Sequence, residues 1–481
     1  MKYILSIDQS TSGTKALLFD GEGALLGRAD LPHEQKINAL GWVSHDPMEI
    51  YDNTIAVVKN LLEAQNIDRG SIAAVGISNQ RETALIWDRE TGLPVADAVV
   101  WQCGRAQPVC GRLAEHGEAV REKTGLRLSP YFPAAKWAWL LENTPGLEDR
   151  ALCCGTIDAW LVYRLTGCFK TDFSNASRTQ LFNIHTLSWD RELCGLFGID
   201  PATLPEVCMS DSLFGETDLE GLLPRRVPVH GVLGDSHGAL FGQGCVEPGM
   251  IKATYGTGSS VMMNVGDKPI PAGEGIVTSL AWGMGGRVDY VLEGNINNTG
   301  SVIKWVVNDL GLLGSSREAG AAAAAADPED GTYLVPAFTG LGAPYWKPDA
   351  RALICGMGRG TGRAELVKAA EESIAYQIAD VAEEMRRGSG VEISALRVDG
   401  GPTRDKYLMQ FQSDILNLPV AVPEHEELSG IGAAYCAGIA AGIYPGDIYA
   451  RTERTVYMPE KDDRWREKRL SGWKNAVKML L

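Results

Sequence analysis

The chain has 481 residues, 45% of them hydrophobic and 22% charged, which suits a globular protein with two large domains better than one with a single core. A formal net charge of -16 argues against duplex nucleic acid or an anionic membrane as the main partner, but not against a nucleotide, which needs only a few local amides. No apolar run approaches a membrane span, Asp8 comes too early for a secretory core, and ten scattered cysteines lack zinc-ligand spacing, so a cytoplasmic protein with reduced thiols is expected.

Residues 3–7 form an apolar run that ends at Asp8, and 16–19 form a second one after a hydroxyl-rich turn. This reads as strand, turn, strand, which excludes a P-loop or a dinucleotide fingerprint, since both need a helix directly after their glycines. A helix is expected over 47–65, and strands over 73–78 and 84–87. The stretch 104–141 is mostly helical in pattern, broken near Pro130 and Pro133. A strand over 229–233 leads to Asp235, and the small apolar residues 238–244 suit a helix packed closely on its neighbours. The composition changes near residue 245. The second half repeats the opening device, with a strand at 250–254, a glycine turn at 254–260 and a strand at 261–264. Residues 321–326 form an Ala-rich helix, and a strand at 396–398 precedes a glycine turn and a helix over 406–415. Alternating strands and helices make the class α/β, with domains expected over 1–245 and 246–481.

Three turns can hold phosphates. The one from Asp8 to Lys15 offers hydroxyls, one glycine and a terminal cation, and Asp8 can hold a hydrated Mg2+. The turns at 254–260 and 398–405 are the others, the last opening a helix. Each is weak alone, but together, split across two halves, they are what a nucleotide clamped between two domains requires. Asp235 is either a turn former or a general base that takes a proton from a substrate hydroxyl. His237 reads better as a satisfied structural histidine. Arg81 and Glu82, side by side at a strand end, can bracket polyol hydroxyls or form a surface ion pair. Trp101 and Tyr131 can floor a carbon chain or belong to the core.

These segments resemble the FGGY carbohydrate kinases along nearly the whole chain, most of all the branch that acts on glycerol. The resemblance is carried by Asp8-Gln9-Ser10-Thr11, the stretches 41–49, 79–83 and 100–103, 131–140, 171–179 and 181–187, then 254–258, 343–346, 349–351 and 398–401. It implies two actin-like (ribonuclease H-like) domains with ATP and Mg2+ in the interdomain cleft. By that resemblance Asp8 sits near the metal. Thr11, Ser12, Gly13 and Lys15 form the first phosphate loop, and Thr257, Gly300 and Gly401 contact the nucleotide from the second domain. Asp235 is the catalytic base, and Arg81, Glu82, Trp101 and Tyr131 hold the acceptor. A homodimer or homotetramer is the expected assembly.

The departures are specific. Ser236 and Ser260 stand where the glycerol branch has Gln and Phe, which opens the pocket towards erythritol, xylulose or ribulose. Lys304 and Asp405 replace a Gln and an Asn at the base and ribose positions, and Glu371 replaces an apolar residue of the second family signature. The glycine-rich loop that binds fructose bisphosphate in bacterial relatives is not evident over 219–226, so no such regulation is expected. The competing reading from another class is a non-catalytic ATP-binding regulator of the same fold. Against it stands the retained set Asp8, Arg81, Glu82 and Asp235.

Overall fold

In the computed structural model, which describes residues 2–271, 273 and 275–481, the two halves build two lobes around separate sheets. The first sheet has six strands: Tyr3–Gln9 (β1), Gly13–Phe19 (β2), Leu25–Pro32 (β3), Ile72–Asn79 (β4), Gly215–Thr217 (β5) and Val227–Gly234 (β6). Their order is β5-β6-β4-β1-β2-β3. The opening meander β1–β2–β3 is antiparallel, as the two short apolar runs require, whereas β4 and β6 join β1 in parallel. Parallel strands are covered on both faces and read as continuous apolar runs, which is why β1, β4 and β6 are almost wholly buried.

The second lobe repeats this plan with seven strands: Met250–Tyr255 (β7), Ser259–Gly266 (β8), Val277–Met284 (β9), Arg287–Ile296 (β10), Ala395–Asp399 (β11), Val420–Pro423 (β12) and Arg454–Tyr457 (β13). The order is β9-β10-β8-β7-β11-β12-β13, with β7 and β11 parallel. A further small sheet and the helices Pro47–Ala64 (α1) and Pro133–Asn143 (α2) complete the first lobe. Asp235–Gly242 (α3) follows β6, and Gly300–Asn308 (α4), Ala319–Ala325 (α5), Arg363–Ser389 (α6), Lys406–Leu416 (α7) and Leu428–Ala440 (α8) follow in the second half.

One helix of the second half belongs in space to both lobes. α8 packs on β1, β4 and β6 and against α3, and their backbones touch. A Cβ on Gly432 would meet the Gly238 oxygen at 1.8 Å, and one on Gly242 the Leu428 oxygen at 2.5 Å. The small-residue run at 238–244 therefore exists to let two helices approach without side chains between them.

The stretch 104–141 is mostly helical and broken where expected, ahead of Pro133. The helix Gly117–Thr124 closes on Gly125, left-handed at φ 74, and regular helix resumes only at Pro133, the first helical residue of α2. Proline thus starts a helix here instead of breaking one. All ten cysteines are unpaired thiols. Among the described residues no helix is long and apolar enough to cross a membrane.

Glu371 lies buried in α6 with no hydrogen-bond partner for Oε2 among the described residues. Burial, and then the Asp405 carboxylate, push it up to about 8. A carboxyl kept neutral in the fold stabilises it below its ordinary value of 4.5, and that contribution is lost as the pH climbs towards about 8. Thermal unfolding across this window is expected to show the native protein losing stability with rising pH and Glu371→Leu losing less; parallel curves would contradict the assignment.

Candidate active site

The site lies where the parallel strands of the first lobe end. Asp8 is the penultimate residue of β1, paired across the sheet with Ser78 of β4 and Lys15 of β2. Asn79 ends β4 and leads directly to Arg81 and Glu82. Gly234 ends β6 beside Asn79 and hands over to Asp235. Carboxyl ends of adjacent parallel strands form a natural crevice, so three distant sequence segments deliver Asp8, Arg81–Glu82 and Asp235 to one place.

Asp8 is buried, with Lys15 Nζ 3.9 Å from Oδ2. Its Oδ1 has no hydrogen-bond partner among the described residues. Burial raises it to about 6 against the pull of Lys15, with Asp235 adding to the rise. The turn that follows is tied to Trp101, whose Nε1 donates to Thr11 Oγ1 at 2.9 Å. Trp101 in turn packs on the Tyr131 ring, centroids 5.6 Å apart. Ser12 is exposed and Gly13 passes close to the neighbouring strand, where a Cβ would meet the Leu31 oxygen at 2.5 Å.

Asp235 is half-buried and opens α3, its Oδ1 3.2 Å from Arg81 Nε. The neighbouring Ser236 hydroxyl accepts from Arg81 Nη2 at 3.1 Å. Arg81 and Glu82 form no surface ion pair, since both are buried and each has a stronger partner elsewhere. Arg81 binds Glu293 of β10 with two hydrogen bonds, 3.0 and 2.9 Å. Glu82, held at the unfavourable φ of 60, accepts from Arg178 Nε at 2.6 Å. Such backbone strain persists only where the surroundings enforce it. Arg178 also pairs with Glu293 at 2.9 Å, and Ser260 Oγ donates to Glu293 at 3.4 Å. Two arginines of the first lobe thus converge on one carboxylate of the second.

Arg178 and Glu293 were not singled out in the sequence, yet Glu293 carried a signal. It interrupts the apolar strand Tyr290 to Leu292, and a charge inside a buried strand demands a cation. His237 is only half-satisfied, with Nε2 3.4 Å from Ser279 Oγ and Nδ1 without a partner among the described residues. Burial, and then Arg81, keep it far below the usual histidine value, so it stays neutral.

The second lobe brings its glycine turns together. Gly300 N donates to the Gly256 oxygen at 2.9 Å and Ser301 N to the Thr257 oxygen at 3.1 Å. A Cβ on Gly300 would strike Gly256 O at 2.5 Å, and one on Gly400 would strike Tyr255 O at 2.0 Å. Thr257, Gly300 and Gly401 therefore sit around one point, at the ends of β7 and β11 and the start of α4. Lys304 is exposed one turn along α4 from Gly300. Asp405 caps α7, accepting from Tyr407 N at 2.8 Å and Leu408 N at 3.2 Å, and packs where Gly320 has no side chain.

Exposed backbone turns on one side, and carboxylates beside a buried guanidinium on the other, define a two-lobed phosphotransferase. Residues 3–242 match the N-terminal domain, and 251–441 the C-terminal domain, of the FGGY family of carbohydrate kinases, and the chain belongs to that family. It is 46% identical to glycerol kinase 1 of Thermotoga maritima, covering 100% of this chain and 99% of that protein, and 44% identical to the glycerol kinase of Symbiobacterium thermophilum, over 99% and 97%. The structure of Plasmodium falciparum glycerol kinase with ADP superposes with a TM-score of 0.94 at 35% identity, over 100% and 98% of the two chains. The chain is an ATP-dependent kinase with the actin-like fold expected from its sequence.

Glu293 is a buried acid, and burial alone would raise it; Arg178 and Arg81 outweigh that and hold it well below the ordinary carboxylate range. Removing one member of a buried charge network leaves the others uncompensated and costs about 3–5 kcal/mol. Glu293→Gln is expected to lower stability by about that much in urea unfolding at neutral pH. The native stabilisation is present above the ordinary value of 4.5 and lost as pH falls below it, so the variant is also expected to lose less on acidification. A variant as stable as the native protein would contradict this.

Proposed function

We propose that the chain transfers the γ-phosphoryl group of ATP to a terminal hydroxyl of glycerol. The observation that carries this reading is the hydrogen bond from Trp101 to Thr11. It sets the acceptor wall directly against the first phosphate loop, while Asp235 stands beside Arg81 on the other side.

In this reading the polyol lies against Trp101 and Tyr131, with Arg81 and Glu82 holding its hydroxyls. Asp235 accepts the proton of the attacking hydroxyl. The turn Thr11, Ser12, Gly13 and Lys15 faces the phosphates from one lobe, with Thr257, Gly300 and Gly401 opposite, and Lys304 and Asp405 border the base and ribose. Domain closure excludes water, which would otherwise take the phosphoryl group. The lobe boundary falls near residue 245, the enzyme works in the cytoplasm, and it assembles as a homodimer or homotetramer.

The free Oδ1 of buried Asp8 suits a hydrated Mg2+, which needs only one or two carboxylates when phosphates supply the rest. When bound, the ion would neutralise charge on the transferred group. No cluster of three metal-ligating side chains exists among the described residues, as such a site does not require one.

A second acceptor is favoured by one feature. The small hydroxyls of Ser236 and Ser260 both touch the Arg81–Glu293 pair, and they leave room and hydrogen-bonding for one more hydroxymethyl group, as in erythritol.

Asp235→Asn is expected to lower turnover by at least about a hundred-fold, with acceptor affinity nearly kept; near-normal turnover would overturn the role. ADP release measured with glycerol, erythritol, xylitol, ribulose and xylulose side by side is expected to rank glycerol first. No stimulation by any of them would favour an ATP-binding regulator instead.

A further inference from the structure

Lys136 has no exposed surface and stands in the first turn of α2, after Pro133 at its first position. Its Nζ donates to the main-chain oxygen of Tyr131 and lies 5.9 Å from the centre of the Tyr131 ring. The charged or ionisable groups that face it are Glu82, just before the strand Ala84–Asp88, and the thiols Cys103 and Cys110 on the neighbouring helical turns. Glu82 is committed to Arg178, so among the described residues Lys136 has no carboxylate of its own. Arg105 donates through Nε to Cys103 Sγ at 3.1 Å and through Nη2 to the Val43 oxygen and the Ser44 hydroxyl.

A methionine would fill this volume without the cost of sealing an amine from water. What the lysine adds is a donor aimed at one carbonyl and a positive charge beside Glu82. That carbonyl belongs to the residue whose ring meets Trp101, and the next residue, Phe132, lies under the Arg178 guanidinium at 5.1 Å. The segment that presents Tyr131 is therefore held at one point by Lys136 and at the next by Arg178.

We propose that Lys136 is a positioning residue for the acceptor: its protonated amine fixes the main chain at Tyr131, and through it the Tyr131–Trp101 wall, in the geometry that binds the polyol. This rests on the polyol-kinase reading above. A hydrogen bond from a charged donor is about twice as strong as a neutral one, so the wall is firmest when the amine carries its proton. Burial pulls Lys136 down to about 7, against the attraction of Glu82. The proton is therefore lost within the neutral range, and with it part of the hold on Tyr131.

The test is steady-state kinetics with glycerol and ATP below and above about pH 7, on the native enzyme and Lys136→Met. The native KM for glycerol is expected to rise as the pH passes that value. In Lys136→Met it is expected to be about tenfold higher on the acid side, as for a lost charged hydrogen bond, and to stay flat with pH. The KM for ATP is expected to stay where it is. A variant whose glycerol KM and its pH course track the native enzyme would overturn the proposal. If the variant does not fold, calorimetry on the native protein decides: glycerol binding near neutral pH is expected to draw protons from the buffer, and binding without proton uptake would overturn it. A native enzyme that phosphorylates no polyol at all would instead overturn the functional reading beneath, and this inference with it.

Discussion

One buried carboxylate holds the two lobes in register. Glu293 rises from the second sheet into the first lobe and receives Arg81 and Arg178 there, with no side-chain surface left to water. Ions removed from water this completely are a net cost unless their partners match them well, so the network tolerates little displacement. Because Arg81 also touches Asp235 and Ser236, and Arg178 also holds Glu82, the position of the proposed base and of the acceptor groups depends on a residue from the opposite lobe.

Around that fixed point the chemistry is divided by type of group. Side chains crowd the first-lobe wall, where the proposed acceptor, with several hydroxyls, would have to be oriented. Bare backbone dominates the second lobe, where the turns at Gly256, Gly300 and Gly400 approach so closely that a single methyl group on the last two would collide. Backbone amides serve a triphosphate well, because they bring partial charge without the bulk or the counter-ion of a side chain. An acidic protein can in this way hold a polyanion.

Much of this was legible in the residues. The β-hairpin opening, the parallel strands ending in Asp8, Arg81 and Asp235, and the close-packed helix after Asp235 all follow from short-range pattern. The three turns were visible one by one, and the fold was needed to bring those at 254–260 and 398–405 together. What the sequence hid was pairing. Arg81 and Glu82 look like partners because they are adjacent, and their charges do come within 3.9 Å, but each is held more closely by a distant ion, Glu293 and Arg178. Lys136 lies in the stretch 131–140 that carries the family resemblance, but nothing local reveals that its tip ends against the Tyr131 carbonyl. The break expected near Pro130 and Pro133 is present, and Pro133 itself starts the next helix, because position within a helix, not identity, decides what proline does.

The most direct measurement is a crystal structure of the protein with a non-hydrolysable ATP analogue and glycerol bound together. The account predicts the terminal phosphate between the turn after Asp8 and the turn at Thr257, with a glycerol hydroxyl in hydrogen-bond reach of Asp235 and the Arg81–Glu293 pair intact beneath it. A nucleotide bound with its phosphates pointing away from Asp8, or a glycerol remote from Asp235, would contradict it.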